Sequence, residues 1–388
     1  MNDNQINLIN KNILIYGLGK SGLSCFNFLK KDNFCILFDD NKKNIPEKFK
    51  KQLISFNKLL NLNFDFIVLS PGIDIKKCKI SKYLSKNKSK IISDLDIFEI
   101  SFPDTIKITV TGTNGKSTTS KLLYDVLKAN KIDARLTGNI GYPILKETNV
   151  KKNTVFIIEA SSYQLEYSKF FKSKYSVILN IHPDHLERHG TFKNYAEAKF
   201  KIIKSQNKNN FAFIEDNNLL NRLIIKNKIK AKVIKIDYSK YKNYLRQLVN
   251  IYFNNPSNKK NFCFALAIAK ILKLNLKSVL CVANKFKGLD FRQQIMHKTK
   301  KLLIINDSKS TSFSSSISAL KVNSNIFWLL GGLHKKNDKF NLSKKYFKNI
   351  QAFIYGRNVK FFNKELKGKI KYKNFLNLNH ALKKIFMI

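Results

Sequence analysis

No apolar run in this 388-residue chain approaches the roughly 18 residues that a membrane span requires, so a membrane-embedded role is not expected. The first eleven residues are polar and lack the apolar centre of a signal peptide. Cysteine is sparse. Cys25, Cys35, Cys78, Cys263 and Cys281 are scattered, odd in number and without a C-x-x-C pair, which argues for a reducing compartment and against a zinc site. A soluble cytoplasmic protein is expected. Acid is scarce too: 26 Asp plus Glu stand against 72 Lys plus Arg, a net charge of +46. Such a charge invites a nucleic-acid reading. The positive residues run from end to end, mixed with abundant Asn, Ile and Phe, and no aromatic-and-basic recognition motif breaks the pattern, so no nucleic-acid partner is expected. The field still favours anionic substrates such as nucleotides and acidic amino acids. The length allows about two to three domains, each with its own core.

Within this background the most informative stretch is Val110-Thr111-Gly112-Thr113-Asn114-Gly115-Lys116-Ser117-Thr118-Thr119. An apolar run at 106–110 breaks into a glycine-bearing loop and then a helix-like segment at 121–127. Gly112 and Gly115 let backbone N–H groups turn inward, and the helix N-terminus adds the positive end of its dipole beneath an anion. Lys116 is then placed to neutralise β- and γ-phosphate charge, and the Ser117 hydroxyl to ligate Mg²⁺. The strict phosphate loop has a glycine where this chain has Val110, so the loop is a shortened variant. The plainer alternative is an ordinary strand-turn-helix corner with a surface lysine.

Three segments follow the same alternation. The first opens with an apolar run at 12–16, then Gly17-Leu18-Gly19-Lys20-Ser21-Gly22, a G-x-G-x-x-G spacing that is weak by itself. A second run at 35–38 ends in Asp39-Asp40, where the acidic residue of a nucleotide-binding βαβ unit meets a ribose or base, and a third at 66–69 leads into Ser70-Pro71-Gly72. Repeated units of this kind predict a parallel doubly wound sheet with its ligand at the carboxyl ends of the strands, followed by a linker near 94–104.

In the second segment a strand at 155–158 ends in Glu159, and another at 176–181 ends in His182-Pro183-Asp184-His185. A carboxylate and an imidazole at strand ends suit Mg²⁺ and phosphoryl chemistry; solvated loop residues are the bland alternative. Helical spacing puts Lys199 between Tyr195 and the pair Ile202 and Ile203, on an apolar face. A partly buried lysine has a lowered pKa and is a nucleophile toward CO₂, and its carbamate is a carboxylate fit to hold Mg²⁺. Most lysines of this chain are plain surface charges. The third segment, after Gly288-Leu289-Asp290-Phe291-Arg292, has strands at 302–305, 327–330 and 352–355, whose polar or glycine-rich tips suggest one substrate-facing edge.

Taken in order, Gly17 to Gly22, Ser70-Pro71-Gly72, residues 111–118, Gly138-Asn139-Ile140-Gly141, residues 159–166, Asp184-His185, Asn258 with Asn261, Asn306-Asp307-Ser308-Lys309 and Gly331-Gly332 resemble the motif series of the Mur ligases of peptidoglycan synthesis. The resemblance covers essentially the whole chain. Asn306 to Lys309 resembles the branch that adds D-glutamate to UDP-N-acetylmuramoyl-L-alanine; the branches for L-alanine, diamino acids and D-Ala-D-Ala look different there. It implies an α/β protein of three doubly wound domains: a Rossmann-like UDP-sugar-binding domain at 1–95, a central P-loop-type ATPase domain at 96–289, and a C-terminal Rossmann-like amino-acid-binding domain at 290–388. It also implies that ATP phosphorylates the substrate carboxylate and that the amine of D-glutamate attacks the acyl phosphate, giving an amide, ADP and phosphate.

By the same resemblance, Lys116, Glu159, His185, Lys199 and Lys309 are catalytic. Gly112, Thr113, Asn114, Gly115, Lys116, Ser117, Thr118, Asn261, Arg292 and Asp307 bind ATP. Gly17, Gly19, Lys20, Ser21 and Gly22 take the UDP phosphates and Asp39 the uracil, with Ser70, Gly72 and Asn139 also on the UDP-sugar, while Thr311 and Lys335 meet the incoming amino acid or the reacting phosphate. Ser117 and Glu159 hold one Mg²⁺, and His185 with a carbamylated Lys199 a second. The protein is expected to act as a monomer. Two departures stand out. Phe291 occupies a position where the family commonly has histidine, so that contact is absent or replaced by ring packing. The family continues beyond the segment resembling residues 379–382 into a further strand, a serine-rich loop and a helix, so the C-terminal domain is expected to lack its last strand and helix, and D-glutamate ligation to be weak or absent. A decayed, non-catalytic nucleotide- or UDP-sugar-binding remnant is one alternative. Folylpolyglutamate synthase-like chemistry, which shares the Thr-Gly-Thr-Asn-Gly-Lys loop, is another; the nucleotide-type domain before residue 95 and Asn306 to Lys309 disfavour it.

Overall fold

Short runs rich in Ile, Val and Phe, each closed by a turn, bury both faces of a strand only if helices cover the sheet on both sides. The computed structural model, which describes residues 6–41, 45–334 and 338–388, realises that arrangement. Residues 1–242 with 262–282 form one compact unit, and residues 243–261 with 283–388 form another.

The first unit carries two parallel sheets. In one, β1 (Asn12–Tyr16), β2 (Phe34–Phe38), β3 (Phe66–Leu69) and β4 (Ile91–Ile92) lie in the order β2-β1-β3-β4. In the other, β5 (Ile106–Thr111), β6 (Ala134–Gly138), β7 (Val155–Glu159), β8 (Tyr175–Ile178), β9 (Phe211–Glu215) and β10 (Lys232–Ile236) take the order β10-β9-β8-β5-β7-β6. The central strand β5 is flanked by β7 and β8 and so is buried almost throughout. The phosphate-loop helix is longer than its apolar pattern, running Lys116–Ala129, because it starts at the loop itself.

The stretch at 94–104, expected as a linker, is a helix over Asp94–Ser101. Its acidic residues look solvated in sequence but are buried with partners. Asp96 is fully buried and accepts from the Ser93 amide and hydroxyl on one oxygen. On the other it accepts from the Ser168 hydroxyl and the Lys169, Phe170 and Phe171 amides, at 2.8–3.0 Å. The next carboxylate, Glu99, lies 3.0 Å from the buried Lys107 ammonium on β5, which also donates to the Phe102 and Pro103 carbonyls. Asp96 thus ties this helix to the loop before β8. Substituting Asp96→Ala leaves several buried donors unmet and is expected to destabilise the first unit by on the order of 3–5 kcal/mol. A urea titration of the variant would show it as a transition at lower denaturant; a midpoint equal to that of the parent would remove the hub.

In the second unit β13 (Ile326–Gly331), β14 (Ile350–Tyr355) and β15 (Lys371–Phe375) form a parallel sheet in that order. One sequence expectation changes here, and one strand carries no signal in the sequence. The strand at 302–305 does not join that sheet: as β12 (Leu303–Asn306) it pairs antiparallel with β11 (Gln294–Lys298) in a separate ribbon, so the three polar strand tips are not one sheet edge. β15 was hidden because its lysines mask the pattern; as an outer strand it is paired on one side only, and its lysines stay exposed.

Candidate active site

The phosphate loop is shaped by backbone before side chains. Gly115 takes a left-handed conformation at φ +85° and Gly112 sits at φ +153°, where an added Cβ would lie 3.1 Å from the Leu179 side chain. The loop is clamped to the segment after β8. The Asn180 side chain accepts from the Asn114 amide at 2.9 Å and donates to its carbonyl at 3.1 Å, while the Thr113 amide donates to the Asn180 carbonyl. Lys116 Nζ donates to the Gly112 and Thr113 carbonyls, each at 2.9 Å. Ser117 and Thr118 are buried in the first turn of the helix behind it. Asn180 carries no motif of its own; a polar residue closing an apolar strand was its only signal in sequence.

Lys199 reaches the same loop from the helix Phe192–Lys204. It is 2% exposed, its Nζ donates to the Gly112 carbonyl at 2.8 Å, and it lies 4.7 Å from the centre of the Tyr195 ring. Burial, reinforced by the Lys116 charge, holds its ammonium well below the usual lysine range, against weaker opposite pulls from Asp184 and Glu159. None of the described ion pairs includes it. Tyr195 in turn exchanges a hydrogen bond of 3.1 Å with the Thr113 hydroxyl.

Glu159 closes β7 and is fully buried. Oε1 accepts from Asn139 Nδ2 at 2.9 Å, while Oε2 makes no hydrogen bond. Asn139, expected on the UDP-sugar, has its side-chain amide on this carboxylate. A buried carboxylate oxygen without a donor is the condition that a divalent cation relieves. No cluster of three or more His, Cys, Asp or Glu side chains occurs among the described residues.

His185, on the segment after β8, has its backbone left-handed at φ +54°. Its Nδ1 lies 2.9 Å from the Tyr163 hydroxyl, and its ring is 4.9 Å from that of Tyr163 and 6.3 Å from that of Tyr195. His189 is buried against the Ser162 hydroxyl, and burial with Arg188, His185 and Lys199 nearby pushes its imidazole down to about 4, so it is neutral at physiological pH. Arg188, also buried, donates to Glu166 and to the Ile73 carbonyl, tying the loop after β3 to this corner.

Around β1 the glycine loop is tightly built. A Cβ on Gly22 would fall 1.8 Å from the Gly17 carbonyl oxygen, so the helix Lys20–Leu29 packs against the loop only with glycine there. Three expected UDP ligands are engaged internally: Asp39 accepts from the Leu18 and Asn41 amides, Ser70 donates to the Gly17 carbonyl, and Ser21 donates to buried Asp94 at 2.6 Å. Gly19, Lys20 and Gly72 remain exposed.

In the second unit Asn261 is buried on the helix Pro256–Ile271. Asp307, raised by burial despite Arg292, accepts from the Gln293 amide at 3.0 Å and the Ser310 hydroxyl at 2.7 Å. Lys309 and Thr311 are exposed, and so is the Phe291 ring, which makes no ring contact among the described residues. Lys335 lies outside the described residues.

Residues 11–93 match the family described as the Mur ligase MurD-like N-terminal domain, and residues 110–284 the Mur ligase middle domain. Over 95% of its length the chain is 33% identical to a UDP-N-acetylmuramoylalanine--D-glutamate ligase of Rickettsia felis, 86% of which is covered. Over 90% it is 35% identical to the ligase of the same name from Buchnera aphidicola, covering 83% of that protein. Among solved structures, MurF ligase from Thermotoga maritima in complex with ADP has the same fold, with a TM-score of 0.56 at 16% identity over 98% of this chain and 90% of that one. MurC from the same organism gives 0.54 at 16% identity over 94% and 91%. With the clamped phosphate loop, the buried Glu159 and the lysine at its rim in one unit, and with relatives matched over nearly the whole chain, this protein belongs to the Mur ligase family.

Proposed function

We propose that the chain is the ATP-dependent ligase that joins D-glutamate to UDP-N-acetylmuramoyl-L-alanine, a cytoplasmic step of peptidoglycan precursor synthesis. The observation that carries the reading is the convergence of Lys116, Lys199 and the half-satisfied Glu159 on one phosphate loop. The γ-phosphoryl group passes from ATP to an oxygen of the substrate carboxylate, and ADP leaves. The amine of D-glutamate then attacks the acyl carbon, phosphate departs, and the nitrogen loses a proton as the amide forms.

Each step gathers negative charge, and this chain's residues meet it. The loop amides and Lys116 carry the β- and γ-phosphates. Ser117 and Glu159 fit one Mg²⁺, with His185 and a carbamylated Lys199 for a second. Mg²⁺ supplies charge neutralisation and Lewis acidity at the phosphates. Asn139 holds the Glu159 carboxylate in place through Oε1. We assign Gly19 and Lys20, the exposed part of the loop after β1, to the UDP phosphates, and exposed Gly72 of the loop after β3 to the UDP-sugar. Asn261, Arg292 and Asp307 are assigned to ATP, and Lys309 and Thr311 to the incoming amino acid and reacting phosphate. Lys335 belongs with them by resemblance alone.

Phosphate release measured with ATP, UDP-N-acetylmuramoyl-L-alanine and D-glutamate, L-glutamate or D-alanine in turn tests the reading. Release is expected with D-glutamate; release with another amino acid only, or with none, would overturn it.

A further inference from the structure

We propose that Tyr163 is a positioning residue for the ligation: its hydroxyl, on His185 Nδ1, fixes the imidazole so that Nε2 is the nitrogen offered to the cation. The inference rests on the assignment of His185 made above. Tyr163 lies one turn past the end of β7, on the helix Ser162–Tyr167, whose start is fixed by a reciprocal Ser161–Gln164 cap. Its ring is held on two further sides, stacked on His189 at 5.7 Å and 26°, with the Arg188 guanidinium 5.1 Å from the ring centre. The hydroxyl is therefore delivered by a rigid platform.

The His185 ring has few other restraints. Its backbone is left-handed and its amide donates to Asp184 Oδ1 at 3.0 Å, which fixes the residue but leaves the ring free to turn. Nε2 is 3.5 Å from Asp184 Oδ2, and Nδ1 is 3.5 Å from Glu187 Oε1, both too long for good hydrogen bonds. The 2.9 Å contact with Tyr163 is thus the short one. An imidazole nitrogen binds a cation only through its lone pair, so with Nε2 on the metal the proton sits on Nδ1 and needs an acceptor there. The phenol oxygen is that acceptor. A phenyl ring offers none.

The test is Tyr163→Phe in the full chain, which keeps the ring stacking and removes one oxygen. In protein labelled with ¹⁵N in its six histidine rings and free of Mg²⁺, the His185 pair is assigned by its loss in His185→Gln. The variant is expected to shift both His185 ring nitrogens and average them between tautomers. It should also raise the Mg²⁺ concentration for half-maximal turnover about tenfold, as loss of a partner behind a metal-bound histidine does, with KM for the UDP-sugar unchanged. Unchanged His185 signals, or shifted signals with an unchanged Mg²⁺ dependence, would overturn the proposal. A parent chain that does not ligate D-glutamate removes the underlying reading instead, so the two failures are told apart.

Discussion

Replacing Lys116 with alanine is expected to lower kcat by on the order of a hundredfold or more, about 3 kcal/mol of transition-state stabilisation, the scale of losing one preorganised electrostatic donor. The lysine rides on the first residue of the helix Lys116–Ala129, at the mouth of the loop, and its ammonium bridges two loop carbonyls. The substitution thus removes a charge from the phosphate site and loosens the loop that presents the backbone amides. Because Asn180 and Thr113 clamp the loop independently, the fold itself should persist. Single-turnover phosphoryl transfer is the decisive measurement. A variant that transfers phosphate at the parental rate would mean that the loop holds something other than a nucleotide.

Lys199→Ala should be as damaging, on the order of a thousandfold in turnover, for a different reason. A lysine that is 2% exposed and outside every described ion pair is costly as an ammonium, so burial holds its pKa well below the usual lysine range. The deprotonated amine adds to CO₂ and releases one proton, and the carbamate so formed places an anion beside Lys116 and the proposed Mg²⁺. Added formate or acetate is then expected to restore part of the activity of the alanine variant, since a small carboxylate can occupy the volume and supply the charge. In the parent chain ¹³C-bicarbonate should produce a carbamate carbon signal that the variant lacks. An alanine variant with full activity, or an inactive one that no carboxylate rescues in a chain without that signal, would leave Lys199 as a packing residue only.

The legible parts of this protein were those in which spacing along the chain is itself the physical cause. Strand, glycine loop and helix at 106–129 follow from local sterics, because only glycine adopts φ +85° at Gly115 without strain. The burial of Lys199 follows from its helical neighbours Tyr195, Ile202 and Ile203, which set the apolar face. Glu159 and His185 were findable because parallel strands bring their carboxyl ends to one edge.

What the sequence could not determine was how polar groups are satisfied. Asp96 draws four of its six donors from residues more than seventy positions away, so the helix Asp94–Ser101 reads as a charged linker until those partners arrive. Asn180 reaches back 66 residues to the phosphate loop, Asn139 turns to Glu159 rather than outward, and Ser21 and Asp39 are spent inside the protein. Backbone preference and hydrophobic periodicity act over a few residues, so they are written in the order of the chain. A hydrogen bond in the interior is chosen only after burial has removed water as a competitor, among whatever groups the closed fold sets side by side. The sequence by itself therefore determined the strand, glycine-turn and helix units of the first unit and the phosphate loop; only the tertiary structure decided which polar side chains are held, by what, and which are left with an atom to offer.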